Sequence, residues 1–357
     1  MKNKKIIVLF LVAILIALPL LNNCKGDVED PVTNDPVIDV QLLSPSNEQQ
    51  FNIGEKISVS IKVNDPKVSD LKLYVEDTIY QEGIPSSDNT ISIDSKNSKV
   101  GQVRIRLSYI NADGELKGDS RMIVLFSDVQ PLYKSAKIVK IHPHNPTSYT
   151  QGLEFYKGNL FEGTGQRGQS ILGEVNLETG EHKRKQELEP RFFGEGITIL
   201  NDTIYQLTYQ AGVCKVYDLK FNEINEFTYT GEGWGLCNNG TDILMSNGSS
   251  EIVWRDPRTF TIKKRLQVFD PRKEIVNLNE LELIDGRLFA NIYTDKQIVE
   301  IDTANGKILS YIDCSELVKD ATGPGTDVLN GIAYNSITKK LYLTGKLWPK
   351  MYEVTIE

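Results

Sequence analysis

The sequence predicts an all-β protein in which a five-bladed β-propeller is preceded by a small immunoglobulin-like β-sandwich. Two patterns carry this prediction. Short apolar segments alternate with turn-forming residues along nearly the whole chain, without a helical period. In residues 136–357 a strand-turn-strand motif also recurs five times. With 357 residues, of which 40% are apolar, the chain is long enough for more than one domain with its own core.

Residues 1–24 have the pattern of a lipoprotein signal peptide. Three lysines precede an apolar run over residues 6–21, which is short for a membrane span. Cys24 follows this run and resembles the lipobox cysteine of bacterial lipoproteins, which is lipidated. We therefore expect an exported lipoprotein that is anchored in a membrane through Cys24 and faces the periplasm or the cell surface. An ordinary signal sequence or an uncleaved anchor is the alternative.

Composition divides the next part of the chain. Residues 25–37 are polar, contain proline and lack periodicity, which predicts a flexible tether. Residues 38–128 contain six or seven short alternating segments separated by turn signals, as in KISVSIKV and VRIRLSYI. This spacing predicts a small antiparallel sandwich of immunoglobulin-like type. Residues 127–135 would link it to the next domain.

Five copies of one motif occupy residues 136–357. In each copy a turn containing Gly, Asp or Asn precedes an apolar strand, and a second strand follows. Equivalent apolar positions are Leu160, Ile204, Ile243, Leu288 and Leu341, so the steps are 44, 39, 45 and 53 residues. Repeats of this length with about four strands each are typical of propeller blades.

The fifth copy lacks an outer strand in the sequence. Copies two to four continue into such a strand, whereas the fifth copy reaches Glu357 without one. We expect residues 136–141, just ahead of the first copy, to supply it. Their pairing with the fifth copy would close the ring and remove an exposed sheet edge.

Composition also narrows the classes of function. Lys and Arg total 40 against 48 Asp and Glu, a formal net charge of −8 without any basic block, so nucleic-acid binding is not expected. Only three histidines are present, which disfavours a multi-histidine zinc enzyme. After Cys24 three cysteines remain without CxxC spacing, and we expect three buried free thiols. They are Cys214, Cys237 and Cys314.

Polar and aromatic clusters recur where each copy of the motif begins. The site of a propeller usually lies at one mouth of its axial channel, so we expect these clusters to converge there. Glu195 stands between two glycines and behind two phenylalanines. Small neighbours let a ligand approach closely, and apolar surroundings raise the pKa of a carboxyl group. The alternative is a Gly-Glu-Gly turn with a solvated glutamate.

A series of motifs in residues 136–357 points to a family. YTQGL, FEGTG, FFGEG, GWGL, LNELE, LNGIAY and TGKLWPK occur in this order. In order and spacing they resemble the plant-type glutamine cyclotransferases, five-bladed propellers that convert an N-terminal glutaminyl residue to pyroglutamate with loss of ammonia. The resemblance implies an enzyme that acts on peptides or proteins with N-terminal Gln, and we expect it to be a monomer. It implies no required cofactor and leaves room for a structural calcium ion in the channel.

The resemblance also implies roles for individual residues. Glu195 would be the acid-base residue, and Lys346 would stabilise the developing oxyanion. Gln151 and Asn279 would bind the carboxamide. Further substrate-binding residues would be Tyr149, Phe193, Tyr209, Trp234, Tyr293 and Asn330. The sequence departs from the plant pattern in having Tyr209 and Tyr293 in place of Trp, and Tyr149 in place of Phe.

Two other functions remain open from the sequence. A metal-dependent propeller hydrolase, such as a lactonase, would place ligands round an axial calcium ion. The candidates for that role are Glu162, Glu195, Asn279 and Asn330. A non-catalytic surface lipoprotein would instead bind proteins or glycans. Trp254 and Trp348 are expected in the core under each of these interpretations.

Overall fold

The computed structural model describes residues 38–357. The predicted signal peptide with Cys24 and the tether over residues 25–37 lie outside the described residues. Within them the fold is all-β, as predicted, with 28 strands and one short helix. No helix in this range is long and apolar enough to cross a membrane.

The first eight strands form two sheets, of three strands in the order β1-β3-β6 and of five in the order β2-β8-β7-β4-β5. Alternation explains their packing: in β3, Ile57, Val59 and Ile61 are buried, while the residues between them face outward. The predicted six or seven strands are eight, and β2 pairs with β8 in parallel rather than antiparallel. The strands are β1 (Val40–Ser44), β2 (Gln50–Asn52), β3 (Lys56–Val63), β4 (Ser69–Val75), β5 (Thr78–Ile84), β6 (Asn89–Asp94), β7 (Gly101–Ile110) and β8 (Leu116–Phe126).

The remaining strands form antiparallel groups of four. Their bounds are β9 (Leu132–Pro143), β10 (Thr150–Tyr156), β11 (Asn159–Thr164), β12 (Ile171–Val175), β13 (His182–Glu187), β14 (Gly194–Leu200), β15 (Thr203–Thr208), β16 (Val213–Asp218), β17 (Glu223–Thr228), β18 (Leu236–Asn238), β19 (Ile243–Met245), β20 (Glu251–Arg255), β21 (Ile262–Gln267), β22 (Leu278–Ile284), β23 (Arg287–Ile292), β24 (Gln297–Asp302), β25 (Ile308–Asp313), β26 (Leu329–Asn335), β27 (Lys340–Gly345) and β28 (Lys350–Ile356), with helix α1 (Ser315–Ala321) before β26. Strands β10–β13, β14–β17 and β18–β21 are separate four-stranded sheets, and an eight-stranded sheet has the order β22-β23-β24-β25-β9-β28-β27-β26.

Strand β9 joins two of these groups. Its residues 136–143 pair antiparallel with β28, so the predicted pairing of residues 136–141 with the last copy of the motif is confirmed. Its first residues, Leu132–Ser135, pair in parallel with β25. The prediction of a linker over residues 127–135 is therefore wrong for its second half. A strand of 12 residues is long enough to serve the edges of two sheets at once.

The first strands of the groups lie side by side. Strand β10 contacts β14, β14 contacts β18, β18 contacts β22, β22 contacts β26, and β26 contacts β10. Glycines allow this approach: a Cβ atom on Gly152 would lie 2.3 Å from the amide nitrogen of Ile197, and one on Gly196 would lie 2.6 Å from that of Leu236. These first strands therefore bring the residues at their beginnings close together.

The core confirms several predictions from the sequence. Trp348 is 1% exposed and Trp254 is 6% exposed, each within an apolar cluster. Cys214, Cys237 and Cys314 are buried and free, as expected. The N-terminal sheets also pack against the later strands, where Phe126 meets Phe269 at 5.6 Å between ring centroids. Residues 39–357 thus form one compact unit.

Candidate active site

Equivalent positions in the repeated motif supply most of the predicted site. One position lies at the start of the first strand, or two residues before it in the third group, and is occupied by Gln151, Glu195, Trp234, Asn279 and Asn330. In the first, second, fourth and fifth groups, the backbone carbonyl two residues before this position accepts a hydrogen bond from the backbone N–H of the residue that follows the second strand. Tyr209 donates to Phe193 at 2.9 Å, and Lys346 donates to Val328 at 2.9 Å. The local β-pairing therefore aims side chains from both strands at one place.

The predicted residues enclose one cavity of about 130 Å³. Nine of the ten predicted catalytic and substrate-binding residues line it, namely Tyr149, Gln151, Phe193, Glu195, Tyr209, Trp234, Asn279, Tyr293 and Lys346. Asn330 is the exception. It is fully buried and donates hydrogen bonds from Nδ2 to the carbonyl oxygen of Thr150 at 2.9 Å and to Oε1 of Gln151 at 3.3 Å. Asn330 thus lies behind the cavity wall and contacts Gln151 instead of the cavity.

Glu195 is the buried carboxyl group of this cavity. It is 4% exposed and belongs to strand β14, so the alternative of a turn with a solvated glutamate is wrong. Its Oε1 accepts a hydrogen bond from Nε2 of Gln151 at 3.0 Å. Burial raises the pKa of Glu195 well above its usual value. The nearby Lys346 opposes this rise in pKa, and Glu232 adds to it.

Lys346 is the cation of the cavity. It is 2% exposed, and its Nζ lies 5.0 Å from the ring centroid of Tyr149 and 4.8 Å from that of Tyr293. Ring faces attract a cation at these distances. Burial lowers the pKa of Lys346 to about 8, against the opposing effects of Glu195 and Asp327. The ammonium group can therefore lose its charge in mildly alkaline solution.

Aromatic rings form the rest of the wall in two series. Tyr149 meets Phe193 edge to face at 6.0 Å, and Phe193 meets Tyr209 at 5.9 Å. On the other side, Trp234 meets Tyr293 edge to face at 5.6 Å. Such pairs add stability beyond the area that they bury. The rings thus hold a small apolar space of fixed shape beside the carboxyl and ammonium groups.

Asn279 places an amide in the same cavity. The side chain is 2% exposed, and within the described residues its Oδ1 has no hydrogen-bond partner. Its backbone is fixed, because the carbonyl oxygen accepts a hydrogen bond from the hydroxyl of Ser246 at 2.6 Å. A buried polar atom without a partner is costly, so this amide is suited to a polar group that enters the cavity.

Two acidic residues near the cavity are not among the site residues predicted from the sequence. Glu232 is half-buried and accepts a hydrogen bond from Nε1 of Trp234 at 3.0 Å. Asp327 is exposed and faces the hydroxyl of Tyr149; burial and this carboxylate raise the pKa of Tyr149. A signal for Glu232 exists, since residues 231–233 repeat the Gly-Glu-Gly of residues 194–196.

Glu162 lies apart from the cavity, in a buried cluster with two histidines. Its carboxylate is bonded to Nε2 of His144 at 3.0 Å and to Nε2 of His182 at 2.9 Å. It also accepts hydrogen bonds from the hydroxyls of Ser148 and Thr150. Burial alone would raise the pKa of Glu162, but the histidines outweigh it and hold that pKa far below its usual value. Over residues 38–357 no group of three or more His, Cys, Asp or Glu is arranged to hold a metal ion.

A buried carboxyl group, a buried ammonium group and an amide in a small aromatic cavity define a site for proton transfer on a small polar substrate. The glutamine cyclotransferase family model matches residues 118–356. A glutaminyl-peptide cyclotransferase from Arabidopsis thaliana is 33% identical over 264 residues, which is 72% of this chain and 80% of that protein. The crystal structure of Myxococcus xanthus glutaminyl cyclase matches with a TM-score of 0.60 and 32% identity, over 64% of this chain and 99% of that one. The chain belongs to the glutamine cyclotransferase family.

Proposed function

We propose that this protein is a glutaminyl-peptide cyclotransferase, which converts the N-terminal glutaminyl residue of peptides or proteins to pyroglutamate and releases ammonia. The observation that carries the proposal is that Glu195, Lys346 and Asn279 face one aromatic cavity in a chain of this family. A cavity of about 130 Å³ suits one side chain, so the substrate would enter by its terminus.

Glu195 would move the one proton that the reaction requires. The neutral α-amine attacks the carbon of the γ-carboxamide, and a new C–N bond forms in a tetrahedral intermediate. The carboxylate of Glu195 takes a proton from the attacking nitrogen and gives it to the leaving nitrogen, which departs as ammonia. A raised pKa suits this role, because a group that both accepts and donates a proton works best near the ambient pH.

Lys346 and Asn279 would act on the carboxamide itself. The Lys346 ammonium group would stabilise the oxyanion of the tetrahedral intermediate. Asn279 would bind the carboxamide through the oxygen that has no partner among the described residues. The amide of Gln151 is already engaged at both ends, by Glu195 and Asn330. We therefore assign Gln151 to holding Glu195, with Asn330 holding Gln151 in turn.

The aromatic residues would hold the methylene groups of the substrate and exclude water. Tyr149, Phe193, Tyr209, Trp234 and Tyr293 all line the cavity, which supports this role. A site without bulk water also strengthens each charge interaction within it.

We further propose that residues 136–357 form a five-bladed propeller and residues 38–128 an immunoglobulin-like sandwich. The circular contacts among β10, β14, β18, β22 and β26 support the propeller. The two N-terminal sheets share one apolar cluster, which supports the sandwich. The family match begins inside β8, so the last strand of the sandwich also belongs to the part of the chain that the family model covers.

Export, lipidation at Cys24, a tether over residues 25–37 and a monomeric state complete the proposal. Mass spectrometry of the N-terminal peptide from a membrane fraction tests the lipid. We propose that the chemistry needs no cofactor. A structural calcium ion in the channel remains a lesser proposal. Thermal unfolding with and without a chelator tests it.

The geometry favours the cyclotransferase over a calcium-dependent hydrolase. That alternative requires Glu162 to face the same space as Glu195. Glu162 is instead bonded to His144 and His182 and does not line the cavity. The alternative of a non-catalytic binding protein differs from the proposed enzyme only in predicting no cyclisation activity.

The deciding experiment is incubation of the purified protein with a peptide that begins with Gln, with ammonia release and the matching loss of mass from the peptide as readouts. The matched control peptide begins with Asn. We expect turnover of the Gln peptide, because its chain length permits the five-membered ring of pyroglutamate. Absence of ammonia release at high enzyme concentration would show that the proposed function is wrong.

A further inference from the structure

Six residues that line the cavity, together with the neighbouring Glu232, form a belt round it. The two aromatic series leave two gaps between them. Lys346 fills the gap between Tyr149 and Tyr293, since its Nζ lies within about 5 Å of both rings. Glu232 contacts Tyr209 and Trp234 at the other gap, next to the residues that line the cavity but not among them. In order, the belt is Lys346, Tyr149, Phe193, Tyr209, Glu232, Trp234 and Tyr293.

Hydrogen bonds fix the carboxylate of Glu232 in its gap. Oε2 accepts the indole N–H of Trp234 at 3.0 Å, and Oε1 accepts a hydrogen bond from Nε2 of Gln210 at 3.0 Å. The hydroxyl of Tyr209 faces the same carboxylate, and burial together with this contact raises the pKa of Tyr209. Glu232 therefore bridges the ends of the two aromatic series.

In the repeat, Glu232 holds the position that supplies a wall residue in the first two groups. It lies two residues before Trp234, as Tyr149 lies two residues before Gln151 and Phe193 two before Glu195. In the first two groups this position supplies a ring to the cavity. In the third group this position carries a carboxylate, which the packing of the aromatic rings does not require.

The belt is electrically polar. Lys346 is positive at one gap, and Glu232 is negative at the other. Glu195 lies between them in the buried floor, where the loss of hydration disfavours its charged form. The other nearby carboxylate, Asp327, lies on the side of Lys346 and Tyr149. A substrate whose two polar ends differ in charge would therefore enter in one orientation.

An N-terminal glutaminyl residue has this polarity, because its α-amino group is largely an ammonium ion near pH 7 and its carboxamide oxygen is the negative end. We propose that Glu232 is a specificity-determining residue, which receives the α-amino group and turns the carboxamide toward Lys346. The inference rests on the proposed function. It names the group that distinguishes a free N-terminus from an internal or acylated glutamine.

Binding of two inert peptides tests the inference without turnover. One tripeptide begins with methionine, which is unbranched like glutamine but cannot cyclise. The other is identical except that its α-amino group is replaced by hydrogen. We expect the wild-type protein to bind the first about tenfold more tightly in calorimetry, since a charge pair at a partly buried site contributes on that order. The variant Glu232→Gln should bind both with dissociation constants within about threefold of each other.

Kinetics separates recognition from a purely structural role. Glu232→Gln keeps an oxygen that can accept the N–H of Trp234, so the belt should persist. We expect its KM for a Gln peptide to rise about tenfold while kcat stays within about threefold. Glu232→Asp should recover part of the preference for the amine. The charge-matched control is Glu187→Gln, which removes an exposed carboxylate at the last residue of strand β13.

The outcomes are distinct. If the wild-type protein and the folded Glu232→Gln variant show the same preference between the two peptides, the inference is overturned. If the wild-type protein prefers the amine but releases no ammonia from Gln peptides, the proposed function is wrong and amine recognition stands. A melting temperature for each variant shows that it is folded.

Discussion

Nε2 of Gln151 donates a hydrogen bond to Oε1 of Glu195 at 3.0 Å, while Oε1 of Gln151 accepts one from Asn330. The second contact fixes which end of the Gln151 amide faces Glu195. The carboxyl group of Glu195 is thus held by a donor that it cannot deprotonate, and its other oxygen is left for the substrate. The pair separates the task of holding the acid-base group from the task of moving the proton.

Replacing Glu195 by Gln should abolish proton transfer and leave the fold intact. We expect kcat to fall by roughly two to four orders of magnitude, which is the range for loss of a general acid-base group. The measurement is ammonia release with the melting temperature as control. Turnover near the wild-type rate in a folded Glu195→Gln variant would contradict the assignment.

The charge on Lys346 should set the alkaline side of the pH profile. Its pKa is lowered to about 8, so the ammonium form that stabilises the oxyanion is present below pH 8 and lost above it. We expect kcat to decline through this range. Lys346→Arg keeps a charge at higher pH, because the guanidinium pKa exceeds 12. In that variant the decline in kcat should move upward by more than about one pH unit. An unchanged decline would assign it to another group.

The buried contact between Glu162 and His144 should stabilise the protein most in mildly acidic solution. The pKa of Glu162 is lowered from 4.5, so its contribution is complete above pH 4.5 and lost as the pH falls toward the folded value. Burial would lower the pKa of His144, but Glu162 and the carbonyl of Trp348 raise it above 6.5, so its contribution is complete below pH 6.5 and lost as the pH rises through the folded value. Both contributions are present between these values.

Glu162→Ala should therefore cost about 3–5 kcal/mol of unfolding free energy near pH 5.5, because it leaves a buried imidazolium without its partner. Urea unfolding at pH 5.5 and at pH 9 measures the effect, which should be smaller at the higher pH. Glu187→Ala is the control at an exposed carboxylate. Equal losses at the two pH values would show that the charge of His144 does not contribute.

The close approach of the first strands should make Gly152 intolerant of any side chain. Its Cβ atom would lie 2.3 Å from a backbone nitrogen and 2.8 Å from the Cα of Gly196, and backbone atoms cannot yield as a flexible side chain does. We expect Gly152→Ala to cost about 1–3 kcal/mol and to displace Gln151 and Glu195, with lower kcat. Gly323→Ala, which meets no atom within 4 Å, should leave both stability and kcat unchanged. Equal melting temperatures for the two variants would contradict this.

The repeat explains why the cavity was predictable from the sequence. Glu195 and Lys346 are distant along the chain, but each holds a fixed position in a motif whose strands were readable from alternation and turns. Once the motif is placed, its geometry brings these positions together. The same logic places Tyr209 and Tyr293, which follow the second strands of their groups.

What could not be predicted depends on contacts outside the motif. Glu162 was open to interpretation as a metal ligand, because nothing in the sequence shows that His144, just after β9, and His182, on β13, reach it. Asn330 shares the position of Gln151 and Glu195, yet it turns behind the wall to bond Gln151. Glu232 was overlooked because its Gly-Glu-Gly precedes the first strand instead of forming it.

The pairing of strand β9 with β28 is a seam in the enzyme that forms late. Strand β9 precedes the first group of strands, yet its partner β28 is the last strand described, and a nascent chain lacks that partner until all the strands between them have been synthesised. The cavity straddles this seam, because Leu347 bonds the carbonyl of Ser148 across it, next to Lys346 and Tyr149. A partly made chain therefore has the acid-base carboxyl group without the cation. Activity would arise in one step, at the moment when β28 pairs with β9.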